Sequence, residues 1–382
     1  MASAPDPDRS AQARAYARER FRLSLLSMLL APLVLLALLL SGASAEFRAW
    51  LAGHCANVWG IVAADVAGLM LFLSALEWPL ALLGRRIEIR YGLNRQTLRG
   101  WWADQGKGVG LELLLGLPAA EAIYWLLRNA PTHWWLIGWA GFVLLAVILA
   151  QLAPVLLLPL FYRFRRLDPG DPREAELAAR IESLCARART RIRGVYRWEL
   201  GEKSAKANAA LAGWGASRRV LLSDTLMDQA PPEQVEAVCA HELGHQRHHH
   251  IWQGLAFQSA LSWIGFAVAA RLLVHFSYSF GLLGIADIAG LPLLLLVGAL
   301  VSLLLLPLSN AFSRRMERQA DDDGFALMGS AQPLLAALAR LADQNLSELR
   351  PPRWKEALFY SHPAPATRLE RGRRWQESHS TR

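Results

Sequence analysis

The sequence predicts a mostly α-helical membrane protein in which about six transmembrane helices carry a small α/β domain that two of them interrupt. Three observations lead there. Of 382 residues, 53% are hydrophobic and 19% charged, and the mean hydropathy is +0.21, which is too apolar for an ordinary soluble chain of this size. The apolar residues gather in blocks of about 20, the length at which a helix crosses the roughly 30 Å hydrocarbon core. Between the fourth and fifth blocks lies a long polar stretch with both helix and strand patterns.

Taken in order, residues 1–22 form a polar N-terminal segment with arginines at 9, 14, 18, 20 and 22. The apolar run from Leu23 to about Leu40 exceeds a signal-peptide core, so it is expected to remain as the first span. Spans from about Val58 to Leu83, Val109 to Leu127 and Trp134 to Phe161 complete an N-terminal transmembrane domain over 23–162. Residues 163–382 form a second domain containing two further spans, about 252–274 and 288–308. Its polar part has a helical pattern around Glu174 to Arg187 and apolar strands at Val195 to Leu200 and Val220 to Leu222. Pro351, Pro352, Pro363 and Pro365 interrupt the tail.

The formal charge is +9, but the arginines sit mainly between apolar blocks, where they set topology rather than bind nucleic acid. The connection from Glu46 to Asn57 has one basic residue other than histidine, Arg48, whereas Arg85 to Lys107 holds six. Arg163, Arg165 and Arg166 then open the polar region. Cytoplasmic loops retain positive charge, so both termini and the polar domain are expected on the cytoplasmic side. The arginine-, alanine- and leucine-rich composition points to a bacterial inner membrane. Cys55, Cys185 and Cys239 have no metal-site or disulfide spacing.

The chemistry concentrates at His241-Glu242-Leu243-Gly244-His245, inside a helix that starts after Pro231-Pro232. Residues four apart share a helix face, so both imidazoles can reach one zinc ion while Glu242 faces a water beside it. A third ligand is needed. The run His248-His249-His250 has the wrong spacing for a HExxHxxGxxH site and reads as a polar helix end. Glu317 and Asp321 lie four apart on a later helix, so one can ligate while the other accepts the far N–H of a ligand histidine. Two histidines, a carboxylate and an open position make a catalytic zincin-like site.

At these residues the chain resembles the type I CAAX prenyl protease family of membrane-embedded zinc metalloproteases. Other segments match too: Ser204-Ala205-Lys206-Ala207-Asn208-Ala209, Ser223-Asp224-Thr225-Leu226, His362-Pro363 with Arg368, Arg90 to Thr97, and Pro159 to Tyr162. The resemblance runs from about Leu73 to Leu369. It implies zinc held by His241, His245 and Glu317, with Glu242 as general base and then acid, and Asp321 orienting a ligand histidine. It implies further that His362 and Arg368 donate to the developing oxyanion and that Asn208 and Ala209 pair with substrate backbone. The expected partners are the lipid bilayer and a peptide or protein tail, with or without a prenyl group, and not nucleic acid. The family also implies a water-filled chamber, whose wall Asp65, Glu77, Glu112, Glu121, Gln151 and Gln258 would suit. Competing functions are membrane-protein quality control, a transporter, and a zinc-binding scaffold without activity; an intact Glu242 argues against the last.

Overall fold

The computed structural model describes residues 7–380; residues 1–6 of the N-terminal segment and the last two residues lie outside them. Helix α1 (Pro7–Leu40) has 34 residues, about 51 Å at 1.5 Å per residue, and outruns the roughly 30 Å hydrocarbon core by several turns. Those extra turns are the basic segment, which continues the first span as one helix. Helix α2 (Ala43–His54) is too short to cross and occupies a connection. Its Ser44 hydroxyl donates to the Ala289 carbonyl at 2.6 Å, and Arg48 pairs with Asp287 at 2.6 Å.

Helices α3 (Val58–Arg90), α4 (Leu98–Asn129) and α5 (Trp134–Leu152) follow. A π turn at Ala153–Leu157 joins α5 to α6 (Leu158–Phe161). Pro154 and Pro159 lack the N–H a regular helix uses there. The polar region comprises β1 (Phe164–Arg166), α7 (Pro172–Arg187), β2 (Gly194–Trp198), β3 (Ala209–Ala212), β4 (Arg219–Ser223), α8 (Asp224–Gln229) and α9 (Pro232–Arg247). The sheet order is β1-β2-β4-β3. β2 and β4 are parallel, whereas the outer pairs are antiparallel, with Ala209 opposite Leu222. β3 is therefore an edge strand.

Helices α10 (His250–Ser277) and α11 (Leu291–Met328) return through the membrane, and α12 (Gln332–Gln344), α13 (Arg353–Phe359) and α14 (Pro365–Ser380) close the chain. Among the described residues six helices are long and apolar enough to span, as the sequence predicts. The sixth span and the helix bearing Glu317 are not separate segments. They form one 38-residue helix that runs to a left-handed Gly329 with φ 67°, because no strong breaker intervenes after Pro307. The α/β unit has a water-type core in which Ile181, Leu184 and Leu222 of α7 and β4 meet Leu243 of α9.

Candidate active site

Helix α9 presents His241 and His245 on the face that packs against α11. Two glycines permit the approach. A Cβ on Gly244 would lie 2.9 Å from the backbone of Ala320, and one on Gly324 would lie 3.3 Å from the backbone nitrogen of His241. Backbone thus meets backbone, and Glu317 comes level with the two imidazoles.

The ligand atoms of His241, His245 and Glu317 lie within 4.8 Å of one another. The two Nε2 atoms are 3.2 Å apart; His245 Nε2 is 3.4 Å from Glu317 Oε1, and His241 Nε2 is 3.5 Å from Oε2. A tetrahedral zinc ion with bonds of about 2.0–2.1 Å has ligand–ligand edges of about 3.3 Å, so the donor set fits one. Glu317 Oε2 is also buried without a hydrogen-bond partner among the described residues, a costly condition for a carboxylate unless a cation satisfies it.

Asp321 Oδ1 lies 3.0 Å from His241 Nδ1, which leaves Nε2 facing the cluster. Burial works to lower the His241 pKa, but the contacts with Asp321 and Glu317 outweigh it and hold the metal-free imidazole up at about 9. A metal ion must displace that proton on binding. Burial pushes the Glu242 carboxyl above its ordinary range, against the lowering influence of the two histidines.

His362 and Arg368 both reach the cluster, in different ways. His362 is largely exposed, with Nε2 3.3 Å from Glu317 Oε1. Arg368, with 12% of its side chain exposed, packs against Asp321, donating from Nε to Oδ2 at 2.9 Å and from Nη2 to Oδ1; its Nη2 is 3.4 Å from His241 Nδ1. The sequence expectation has Arg368 beside His362 as an oxyanion donor. Its Nε and Nη2 are engaged bidentately by Asp321, while Nη1 lies 3.8 Å from Glu317 Oε2.

Asn208 precedes the edge strand β3, which starts at Ala209, and both line a cavity of about 930 Å³ with the histidines. That is within the roughly 300–1,000 Å³ of ligand pockets. The opposite wall is α1, through Tyr16, Arg20 and Phe21, which the sequence did not place near the chemistry. A second difference concerns the histidine run. His249 is exposed as expected of a helix end, but His250 is 4% exposed and its Nδ1 is 2.9 Å from His245 Nδ1. Of the intramembrane polar residues, Asp65 is buried, and Glu112 pairs with Ser74 across α3 and α4 at 3.5 Å.

Six spanning helices among the described residues and a His–His–Glu cluster with a second glutamate, Glu242, lining the same cavity are the parts of a membrane metallopeptidase. Comparison with known proteins agrees: the model of peptidase family M48 matches residues 171–376, more than half the chain. The chain belongs to that family and is a metalloprotease. A model described as the CAAX prenyl protease N-terminal region, with five membrane helices, matches residues 1–163, which here hold four spanning helices and α2. The CAAX prenyl protease 1 homolog of Oryza sativa is 31% identical, with 80% of this chain and 72% of that protein covered. An uncharacterized metalloprotease of Bacillus subtilis, YhfN, is 29% identical over 87% of this chain and 78% of that protein. The crystal structure of S. mikatae Ste24p shares the fold, with a TM-score of 0.82 at 22% identity, covering 96% of this chain and 89% of that one. The transporter, scaffold and quality-control readings are not favoured by these relatives.

Proposed function

We propose that the protein is a zinc endopeptidase that cuts C-terminal peptide tails of the CAAX type, prenylated or not, presented from the cytoplasmic side. The observation that carries the reading is the triangle of His241, His245 and Glu317, with edges of 3.2, 3.4 and 3.5 Å. The relatives named CAAX prenyl protease supply the substrate class.

His241, His245 and Glu317 would hold the zinc, whose contribution when bound is Lewis acidity that brings the pKa of a water to about 7. Glu242 takes the proton of the attacking water and returns it to the leaving amine. A carboxyl raised by burial is suited to both transfers at neutral pH. His362, exposed at the cavity, donates to the oxyanion as it develops. Asp321 fixes the tautomer of His241, and Arg368 holds Asp321 in place, so Arg368 acts as a positioning residue. The free edge of β3 at Asn208 and Ala209 pairs with extended substrate backbone, a mode that accepts varied side chains. An even number of spans separates the N-terminus, the α/β unit and the C-terminal helices, which puts all three on one side. The arginine-rich connections favour the cytoplasm.

The test incubates zinc-loaded protein with a farnesylated CAAX peptide and an unmodified control and locates the cut by mass spectrometry. Glu242→Gln keeps shape but cannot accept a proton. It should retain zinc and lose about 10²–10⁴-fold in turnover. Undiminished hydrolysis would remove Glu242 from the mechanism, and cleavage of neither peptide would reject the substrate class.

A further inference from the structure

His241 and His245 stand symmetrically toward the cluster, yet only His241 has a carboxylate behind it. The polar atom behind His245 is His250 Nδ1, 2.9 Å from His245 Nδ1. On its other side, His250 Nε2 is 3.1 Å from Gln319 Oε1. The direction of this chain follows from the acceptor at its end. Gln319 Oε1 can only accept, so His250 carries its proton on Nε2 and its Nδ1 is a bare acceptor. His245 must then donate from Nδ1, which leaves its Nε2 lone pair free on the cluster side. Reversing the chain would put a proton on the very nitrogen that faces Glu317.

Local structure fixes His250 there. Helix α9 ends at Arg247, and His249 adopts the left-handed conformation, φ 55° and ψ 38°, which is uncommon for a residue other than glycine. That turn starts α10 at His250 and folds its imidazole back onto α9. His248 stacks on the far face of His250, ring planes 11° apart, and its own Nε2 is 3.3 Å from Asp323 Oδ2. His250 is thus walled in, with its two nitrogens on two partners.

We infer that His250, held by Gln319, is the positioning residue that sets the tautomer of His245 for metal binding, the neutral counterpart of Asp321 behind His241. This rests on the proposed use of His245 as a ligand. Loss of such a partner typically costs about 10–100-fold in metal affinity.

The test uses the full-length protein loaded with zinc, challenged with a chelator, and follows zinc release, with thermal unfolding of the metal-free form as a fold control. His250→Phe fills the space without an acceptor and should release zinc about 10–100-fold faster at unchanged metal-free Tm. His250→Asn can present an oxygen near the Nδ1 position and should restore release most of the way to the parent rate. Gln319→Leu keeps the His250 ring but removes its acceptor, and should speed release as well. Parent-like release from both His250→Phe and Gln319→Leu overturns the inference, as does an Asn variant no better than Phe. If His250→Phe does not fold, Gln319→Leu decides: parent-like release overturns, faster release supports. His241→Ala separates the two levels. A parent protein with no stoichiometric zinc overturns the ligand reading and this inference together, whereas zinc lost in His241→Ala but unmoved by the His250 and Gln319 changes overturns this inference alone.

Discussion

In the α/β unit, Ile181, Leu184 and Leu222 have no exposed surface, whereas no residue in the most apolar stretch from α5 to α6 is buried. Both regions are rich in leucine, but the leucines answer to different solvents. Around α7, β4 and α9 they leave water on folding, and the hydrophobic effect drives assembly. Along α5 they face hydrocarbon before and after the helices associate, so packing and a few polar contacts must hold the bundle. The active site lies where the regimes meet, since α11 runs from one into the other and carries Glu317 and Asp321 on its far end.

The largest effect should come from the metal cluster itself. Glu317→Ala removes the only carboxylate of the triangle and should reduce zinc from near one per chain to a small fraction, with the membrane helices still inserted. Metal analysis on detergent-purified protein measures it. Full occupancy in that variant would send the third ligand elsewhere and uncouple the site from α11.

Next in size is the water-type core. Leu184 of α7 has no exposed surface and belongs to the core cluster shared with the sheet and α9, so Leu184→Ala should cost about 2–5 kcal/mol through lost burial and the cavity it leaves. Denaturation of the α/β unit followed by tryptophan fluorescence gives the number. A change below about 0.5 kcal/mol would mean that this unit owes its stability to the membrane helices.

What could be read in the sequence divides along the same line. The spans were legible because hydropathy needs only composition over about 20 residues, and His241, His245, Glu317 and Asp321 because i,i+4 spacing is local geometry. The contacts that complete the site are long-range. Nothing near Arg368 says that it meets Asp321, and nothing near Arg20 says that α1 walls the cavity. His250 was hidden by a backbone feature, the left-handed His249, which makes a three-histidine run look like a solvated helix end. Gly244 was the one readable signal left unused, since a glycine in mid-helix beside a metal motif marks a close backbone approach.

A smaller effect distinguishes ion pairing in the α/β unit. Glu174 is buried and accepts from Arg165 at 2.6 and 2.8 Å, from Asp168 N at 2.8 Å and from Arg197 at 3.2 Å. The Arg165 hydrogen bonds, against burial, bring its pKa down from 4.5 to about 2. A depressed carboxyl stabilises the fold above its ordinary pKa and loses that contribution as pH falls through the folded value. Because Arg165 is partly exposed, the contribution is about 1–3 kcal/mol. Glu174→Gln should show that deficit at pH 7, narrowing below about pH 4.5 and closing toward pH 2. A deficit constant down to pH 2 would assign Glu174 a packing role instead.

The smallest expected effect tests the membrane side directly. Leu144 lies mid-way along α5 with 62% of its surface exposed, and α5 is one of the six spanning helices. If that face meets lipid, the leucine side chain has hydrocarbon neighbours whether or not α5 is docked, and shortening it removes no burial that association created. Leu144→Ala should therefore shift stability in a bilayer by less than about 0.5 kcal/mol, although the same chemical change at Leu184 costs several times more. The pair is best measured side by side in lipid nanodiscs by thermal unfolding, with cleavage of a CAAX peptide as a second readout. A Leu144→Ala loss as large as that of Leu184→Ala would show that this face of α5 packs against protein, and only a second copy of the chain is present in the disc to supply it. Oligomeric state measured on the same samples would then have to change with the substitution.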